Sequence, residues 1–111
     1  MSIAKNVLFI CTYNQVRSCT AESLLKDTPG YNIMSAGTSS SSQVTLTPSH
    51  LEWADMIFVM EEEHLHHLQA IADGLLENKT VINLDVSFAA SQTRDLTTLI
   101  KKKLAAHFPF L

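Results

Sequence analysis

The stretch Val7-Leu8-Phe9-Ile10-Cys11-Thr12-Tyr13-Asn14-Gln15-Val16-Arg17-Ser18 decides how this chain folds. It opens with a continuous apolar run rich in β-formers, which is typical of a buried strand in a parallel sheet. Cys11 and Arg17 follow, with five residues between them. A loop of this length can curl around a tetrahedral anion, so that backbone N–H groups and the guanidinium point at one centre. The stretch therefore predicts a phosphate cradle with a thiolate as the attacking group.

The composition favours one globular domain with one site. The chain has 111 residues, 46% of them hydrophobic, which fits a single packed domain over residues 1–111. Its formal net charge is -3, so there is no electrostatic reason to expect a nucleic-acid partner. We interpret the run Lys101-Lys102-Lys103 as the solvated face of a C-terminal helix.

The sequence predicts a soluble cytoplasmic protein. No apolar run approaches the ~20 residues that a membrane span needs, and the N-terminus lacks a signal-peptide pattern. The two cysteines, Cys11 and Cys19, fit a reducing compartment better than a disulfide framework, which leaves Cys11 free to be a nucleophile. Cys19 either protects Cys11 through a reversible disulfide or packs within a helix, and packing is the favoured interpretation.

Strand patterns alternate with helix patterns four times along the chain. The predicted strands are 7–10, 31–35, 56–60 and 80–84. The predicted helices are 17–28, 48–55, 61–76 and 95–108. Ser18 is the candidate N-cap of the first helix, and Thr47 and Pro48 are the predicted start of the second.

This alternation predicts an α/β fold, a single four-stranded parallel sheet flanked by helices on both faces. Function in such sheets gathers at the carboxyl ends of the strands. Cys11, Ser35, Met60 and Asp85 follow or end the predicted strands at this edge. They are therefore expected to lie near one another.

The segment FICTYNQVRSCTAE, residues 9–22, resembles the N-terminal signature of the low-molecular-weight protein tyrosine phosphatases. The likeness is greatest to short bacterial members whose loop is polar and lacks glycine. Ser35–Thr38 resembles the end of that family's second strand, and Leu51–Glu61 resembles its third-strand region. The resemblance extends over the segment from Val7 to Leu84 and implies the doubly wound fold of that family.

The resemblance also implies a role for each loop residue. Cys11 would form a phosphocysteine intermediate, and Arg17 would hold the phosphoryl oxygens. Asn14 would brace the loop in a left-handed conformation and hydrogen-bond to Ser35, while the Ser18 hydroxyl would stabilise the thiolate. The implied phosphate-binding residues are Thr12, Tyr13, Asn14, Gln15, Val16, Arg17 and Ser18.

The sequence departs from the family at the general acid. Where the family carries an aspartate that protonates the leaving phenol, this chain has Phe88 or Ala89. A phenol has a pKa of about 10, so the lack of a proton donor should slow the first step by about 10²- to 10⁴-fold. Asp85 is either a substitute acid or the cap of the following turn, and Asp95 fits the N-cap or first turn of the last helix.

Two functions from different classes remain open. The first is cysteine-dependent hydrolysis of protein phosphotyrosine or a small aryl phosphate. The second is a pseudophosphatase that binds a phosphorylated protein or small molecule, and a structural role without a ligand ranks third. Arsenate reduction would need further cysteines, and none follows Cys19. The sequence leaves the oligomeric state open.

No cofactor or metal is expected. The run Glu61–His67 is interpreted as a solvated helix flank rather than a metal site. Tyr13 either lines the mouth of the site and stacks on an aromatic substrate or shields the thiolate.

Overall fold

Strands and helices alternate along the computed structural model, which describes residues 4–111, with the backbone alone at Ser91. The strands are β1 (Lys5–Cys11), β2 (Tyr31–Gly37), β3 (Met56–Val59) and β4 (Thr80–Asn83). The helices are α1 (Arg17–Leu25), α2 (Pro48–Trp53), α3 (Glu62–Ala72) and α4 (Leu96–Leu104). A short 3-10 helix, Ala89–Gln92, precedes α4.

The strands form one parallel sheet in the order β2-β1-β3-β4. From β1 the chain moves outward to β2 and then returns to the other side of β1 to form β3. This reversal leaves a crevice beyond the carboxyl end of β1, the usual ligand position in such sheets. Cys11 is the last residue of β1 and pairs with Gly37 of β2. The predicted fold class is confirmed.

Helices cover both faces of the sheet. Side chains of β1 alternate between two cores, with Val7 and Phe9 in one and Leu8 and Ile10 in the other. Helices α1 and α4 pack on the first core through Ala21, Leu25, Leu96, Ile100 and Leu104. Helices α2 and α3 pack on the second through Leu51, Leu68 and Ala72. Because both faces are covered, the strands lack the polar alternation of a one-sided sheet.

The prediction of Ser18 as the N-cap of α1 is wrong. The helix begins at Arg17, with Val16 in the N-cap position and no side-chain cap hydrogen bond. The Ser18 side chain is buried and faces the Cys11 sulfur instead. The Ser18 hydroxyl therefore contacts the loop at Cys11 and does not cap α1.

Several predicted boundaries also shift. Helix α3 ends at Ala72 rather than at residue 76, because Asp73 adopts a left-handed conformation with φ of 43°. Helix α4 is Leu96–Leu104 and is shorter at both ends than the predicted 95–108, with Asp95 in the N-cap position. Strands β3 and β4 each end one residue before the predicted limit, whereas β2 continues to Gly37.

The predicted start of α2 at Thr47 and Pro48 is confirmed. None of the helices in residues 4–111 has both the length and the apolar character that a membrane crossing requires.

Candidate active site

The loop after β1 brings a cysteine and an arginine into one buried place. Cys11 ends the strand and Arg17 begins α1, and each is only 3% exposed. The first backbone N–H groups of a helix have no partner within it, so the start of α1 carries partial positive charge. A thiolate and a bound anion are both favoured at this position.

Two donors lie against the Cys11 sulfur. The backbone N–H of Asn14 donates to Sγ across 3.2 Å, and the Ser18 Oγ lies 3.0 Å from Sγ. The Ser18 oxygen itself accepts a hydrogen bond from Asn14 Nδ2 at 3.0 Å. Its own hydrogen is therefore free to point at the sulfur. Both groups would stabilise the thiolate over the thiol.

Asn14 braces the loop from inside. Its φ is 53°, in the left-handed region that asparagine tolerates better than most residues. Its Nδ2 donates to Ser35 Oγ at 2.8 Å, so the contact that the resemblance implied is present. Ser35 in turn donates to Glu22 Oε1 at 2.6 Å. The loop is thereby tied to both α1 and β2.

The Arg17 guanidinium is held at one end by distant parts of the chain. Its Nη1 donates to Glu61 Oε2 at 2.6 Å and to the Val86 carbonyl at 2.8 Å. Its Nη2 lies 3.4 Å from Thr12 Oγ1. These contacts fix the plane of a buried cation that would otherwise be costly to desolvate.

His64 is buried behind the loop, at 1% exposure. Its Nδ1 accepts the Glu61 backbone N–H at 3.0 Å, so the ring proton is on Nε2 and points at Thr12 Oγ1, 2.9 Å away. Burial, followed by the charge of Arg17, lowers the pKa of His64 from 6.5 to about 4. The ring is therefore neutral at neutral pH. The interpretation of Glu61–His67 as a solvated flank is wrong for this residue.

A cation site on this helix end is disfavoured by the same contacts. Glu61, Glu63 and His64 present ligand atoms within 4.8 Å of one another. However, both ring nitrogens of His64 are already hydrogen-bonded, and Glu61 is paired with Arg17. Two of the three ligand groups, those of Glu61 and His64, are thus already hydrogen-bonded to Arg17 and Thr12.

A cavity of about 230 Å³ opens above the Cys11 sulfur. Its described lining consists of Cys11, Tyr13, Gln15, Val16, Arg17, Phe88 and Gln92. The Phe88 ring centroid lies 5.9 Å from Arg17 Cζ, within range of a cation–π contact, and Phe88 is 55% exposed. Phe88 therefore stands at the mouth and does not close it. Tyr13 also lines this mouth.

Asp85 is not among the described residues that line the cavity. It is exposed and has a φ of 56°, and its carbonyl accepts a hydrogen bond from Lys103 Nζ at 2.6 Å. Its role as a substitute acid remains a prediction, and its backbone instead marks a turn after β4.

The Cys19 side chain is partly buried beside the loop. Its thiol donates to the Asn14 carbonyl at 3.2 Å. Burial raises the pKa of the Cys19 thiol, although the Ser35 hydroxyl opposes the shift. These contacts favour the packing interpretation of Cys19.

The sequence does not single out Glu61, His64 or Gln92 as site residues. One signal was present for Glu61, since it follows directly after the buried strand that pairs with β1. The carboxyl ends of neighbouring parallel strands share one edge, so a residue just beyond β3 must lie near Cys11. His64 gave no such signal, because it stands in a run of polar residues.

No protein-family model matches the chain, and no curated protein sequence matches it. Solved structures do. A low-molecular-weight protein tyrosine phosphatase from Streptococcus pyogenes has a TM-score of 0.77 and 17% identity, covering 96% of this chain and 93% of that one. The tyrosine phosphatase Wzb from Escherichia coli K30, in complex with sulphate, has a TM-score of 0.75 and 19% identity, over 97% of this chain and 99% of that one.

A third match is the YwlE arginine phosphatase from Geobacillus stearothermophilus, with a TM-score of 0.69 and 20% identity over 96% of this chain and 94% of that one. At such identities the similarity establishes the fold. The chain therefore has the fold of the bacterial low-molecular-weight tyrosine phosphatases.

Proposed function

We propose that this protein hydrolyses phosphate monoesters through a phosphocysteine intermediate on Cys11. One observation carries the proposal: the Cys11 sulfur meets the Asn14 N–H and the Ser18 hydroxyl in a cavity that Arg17 also lines. A nucleophile, two groups that stabilise its anion and a guanidinium are the parts that attack on phosphorus requires. Both cysteines are unpaired, which suits the reducing cytoplasm that we propose as its compartment.

The proposed substrate is a protein phosphotyrosine or a small aryl phosphate. Tyr13, Val16 and Phe88 are the exposed hydrophobic residues of the cavity lining, and they can pack against an aromatic ring. The sulphate complex of the similar Wzb structure supports a tetrahedral-anion site on this fold. The tyrosine and arginine phosphatases among the similar structures support hydrolysis of a phosphorylated substrate.

In the first step the Cys11 thiolate attacks phosphorus, an S–P bond forms and the bond to the leaving oxygen breaks. Glu61 and Val86 hold the Nη1 end of Arg17, so the Nε–Nη2 edge is the edge that can pair with two phosphoryl oxygens. Charge that grows on these oxygens in the transition state is thereby stabilised by a group already in position.

In the second step water attacks the phosphocysteine and the sulfur departs as a thiolate. The Asn14 N–H and the Ser18 hydroxyl are then the groups that stabilise it. The proton of the attacking water ends on the released phosphate, so the enzyme returns to its starting state.

The second candidate function is that of a phosphate-binding module without efficient turnover. One observation favours it: among the described residues that line the cavity there is no carboxyl group to protonate a leaving phenol. On this account the partner would be a phosphorylated protein, and Cys11 would contribute to binding alone.

Hydrolysis of two aryl phosphates separates these candidates, one with a good leaving group such as 4-nitrophenyl phosphate and one with a poor leaving group such as phenyl phosphate. The native chain should release phosphate from the nitrophenyl ester, and Cys11→Ser should not. Equal rates for native and Cys11→Ser protein on both esters, together with tight phosphate binding, would favour the binding module. Asp85→Asn reports on the substitute acid, because it should slow the poor leaving group selectively if Asp85 has that role.

A further inference from the structure

We infer that the site accepts acyl phosphates, the mixed anhydrides of phosphoric and carboxylic acids, and favours them over aryl phosphates. The inference rests on the proposed phosphocysteine chemistry. Its structural basis is the make-up of the cavity at the Cys11 sulfur, because the described lining contains no carboxyl or imidazole group that could protonate a leaving oxygen.

Expulsion of a leaving group depends on whether it must take up a proton. A phenolate is the anion of an acid with a pKa of about 10, whereas a carboxylate is the anion of an acid with a pKa of about 4. A positioned general acid typically contributes about 10²- to 10⁴-fold to the departure of a poor leaving group. A carboxylate departs without this help.

The described cavity lining offers little to protonate a leaving oxygen. Besides Cys11 and Arg17 it contains two amides, Gln15 and Gln92, and the apolar or aromatic rim. An amide donates a hydrogen bond but does not transfer its proton. Tyr13 supplies the remaining dissociable proton of this lining, and a phenol is a far weaker acid than a carboxyl group.

Glu61 and His64, the two titratable side chains behind the loop, are hydrogen-bonded to loop residues. Glu61 Oε2 accepts a hydrogen bond from the Arg17 guanidinium at 2.6 Å, and Glu61 is not among the described residues that line the cavity. His64 is neutral, since its Nδ1 accepts the Glu61 N–H, and its single ring proton faces Thr12. A neutral imidazole is a poor acid.

The second step is not limited in the same way, because its leaving group is the Cys11 thiolate. The Ser18 hydroxyl and the Asn14 N–H already face this sulfur. For an acyl phosphate the steps balance without a protein acid or base: thiolate plus acyl phosphate gives phosphocysteine plus carboxylate, and phosphocysteine plus water gives thiolate plus dihydrogen phosphate. The asymmetry between the two steps points to a substrate with a stable leaving anion.

The cavity also suits the acyl part. Its volume is about 230 Å³, and its lining includes Tyr13, Val16 and Phe88, which can pack against an apolar acyl group. The Gln15 amide lies in the same lining and can donate to the acyl carbonyl oxygen.

Benzoyl phosphate and phenyl phosphate form a matched pair for the test, since they differ chiefly by one carbonyl group between ring and phosphate. We expect the native chain to give a kcat/KM for benzoyl phosphate at least about 100-fold above that for phenyl phosphate, which is the lower end of what a missing general acid costs. Rates with Cys11→Ser are subtracted, because benzoyl phosphate also hydrolyses in buffer.

A ratio below about 10, with both compounds cleaved through Cys11, would overturn this inference and leave the proposed hydrolase intact. A slower phenyl phosphate reaction in Tyr13→Phe, with benzoyl phosphate unaffected, would also overturn it, because Tyr13 would then be the missing donor. Native rates equal to those of Cys11→Ser on both compounds would instead remove the proposed hydrolase and the inference with it.

Discussion

Glu61 and Arg17 form an ion pair at the edge of the cavity, with Glu61 Oε2 2.6 Å from Arg17 Nη1. Arg17 is 3% exposed and Glu61 is 27% exposed, so the cation depends on this carboxylate while no anion is bound. A bound phosphate would bring a second negative charge to the same guanidinium. The two anions therefore share one cation and repel each other.

Glu61→Gln should weaken the protein and strengthen its phosphate binding at the same time. The amide keeps an acceptor for Arg17 but loses the charge, so we expect the free energy of unfolding to fall by about 1–2 kcal/mol without phosphate. Relief of the repulsion should tighten phosphate binding about fivefold. Thermal melts across a phosphate titration measure both effects. The matched control is Glu62→Gln, since the Glu62 side chain is 76% exposed and lies near His66 rather than Arg17. Equal phosphate affinities in the two variants would contradict the prediction.

His64 should make stability depend on pH. Its pKa is lowered from 6.5 to about 4 in the folded chain, so the unfolded chain binds more protons between these values and stability is lost as the pH falls through them. Above pH 6.5 the lowered pKa of His64 leaves the free energy of unfolding unchanged. At pH 4 it lowers that free energy by about 3 kcal/mol. Protonation of Nδ1 would also break the bond from the Glu61 N–H.

Chemical denaturation at several pH values tests this with His64→Gln, whose stability should decline less steeply than that of the native chain below pH 6.5. His66→Gln is the matched control, because the His66 side chain is 68% exposed. Parallel stability curves for native and His64→Gln protein would show that His64 titrates normally in the fold.

Asn14 has a conformational role and a hydrogen-bonding role, and two substitutions separate them. Asn14→Ala should lose the bonds to Ser18 and Ser35 and also strain the backbone at a φ of 53°, for a total of about 2–4 kcal/mol of unfolding free energy. Asn14→Gly accepts that φ, so it should recover about 1 kcal/mol of the loss. Denaturant titrations measure the difference; equal losses in both variants would mean that the hydrogen bonds alone matter.

Gly37 allows the loop to approach β2. A Cβ at this position would meet the Ser42 hydroxyl and would lie 2.7 Å from the Thr12 carbonyl oxygen. Gly37→Ala should therefore displace the loop, with a stability loss of about 1–3 kcal/mol and weaker phosphate binding.

Gly30→Ala is the control for this effect on binding. It has a φ of 87°, and no atom of residues 4–111 lies within 4 Å of an added Cβ, so it should lose about 1 kcal/mol of stability through backbone strain alone. Calorimetry with inorganic phosphate should find its affinity unchanged. A similar loss of affinity in both variants would attribute the effect to general destabilisation.

The sheet and the loop were predictable because their signals are local. The apolar run ending at Cys11 and the spacing to Arg17 depend on neighbouring residues alone. The groups that position Arg17 depend on strand order, because Glu61 and Val86 reach it only after β3 and the segment beyond β4 lie beside β1. A single sequence contains no direct measure of that proximity.

The extent of α3 was less predictable for a different reason. Apolar residues continue at helical spacing to Leu76, yet the chain turns at Asp73 and Gly74, both with positive φ. Periodicity reports which face is buried, and Leu75 and Leu76 do pack against the second core from the turn. It does not report where the backbone leaves the helix.

The distant anchors of Arg17 also set when the site comes into existence during synthesis. Residues 11–17 leave the ribosome before the partners of the guanidinium, which are 44 and 69 residues further along the chain. A nascent chain that stops before Val86 carries the whole loop without the groups that orient it. Affinity for phosphate should therefore arise late, after the last strand has joined the sheet. A truncated or stalled product should have no activity rather than partial activity.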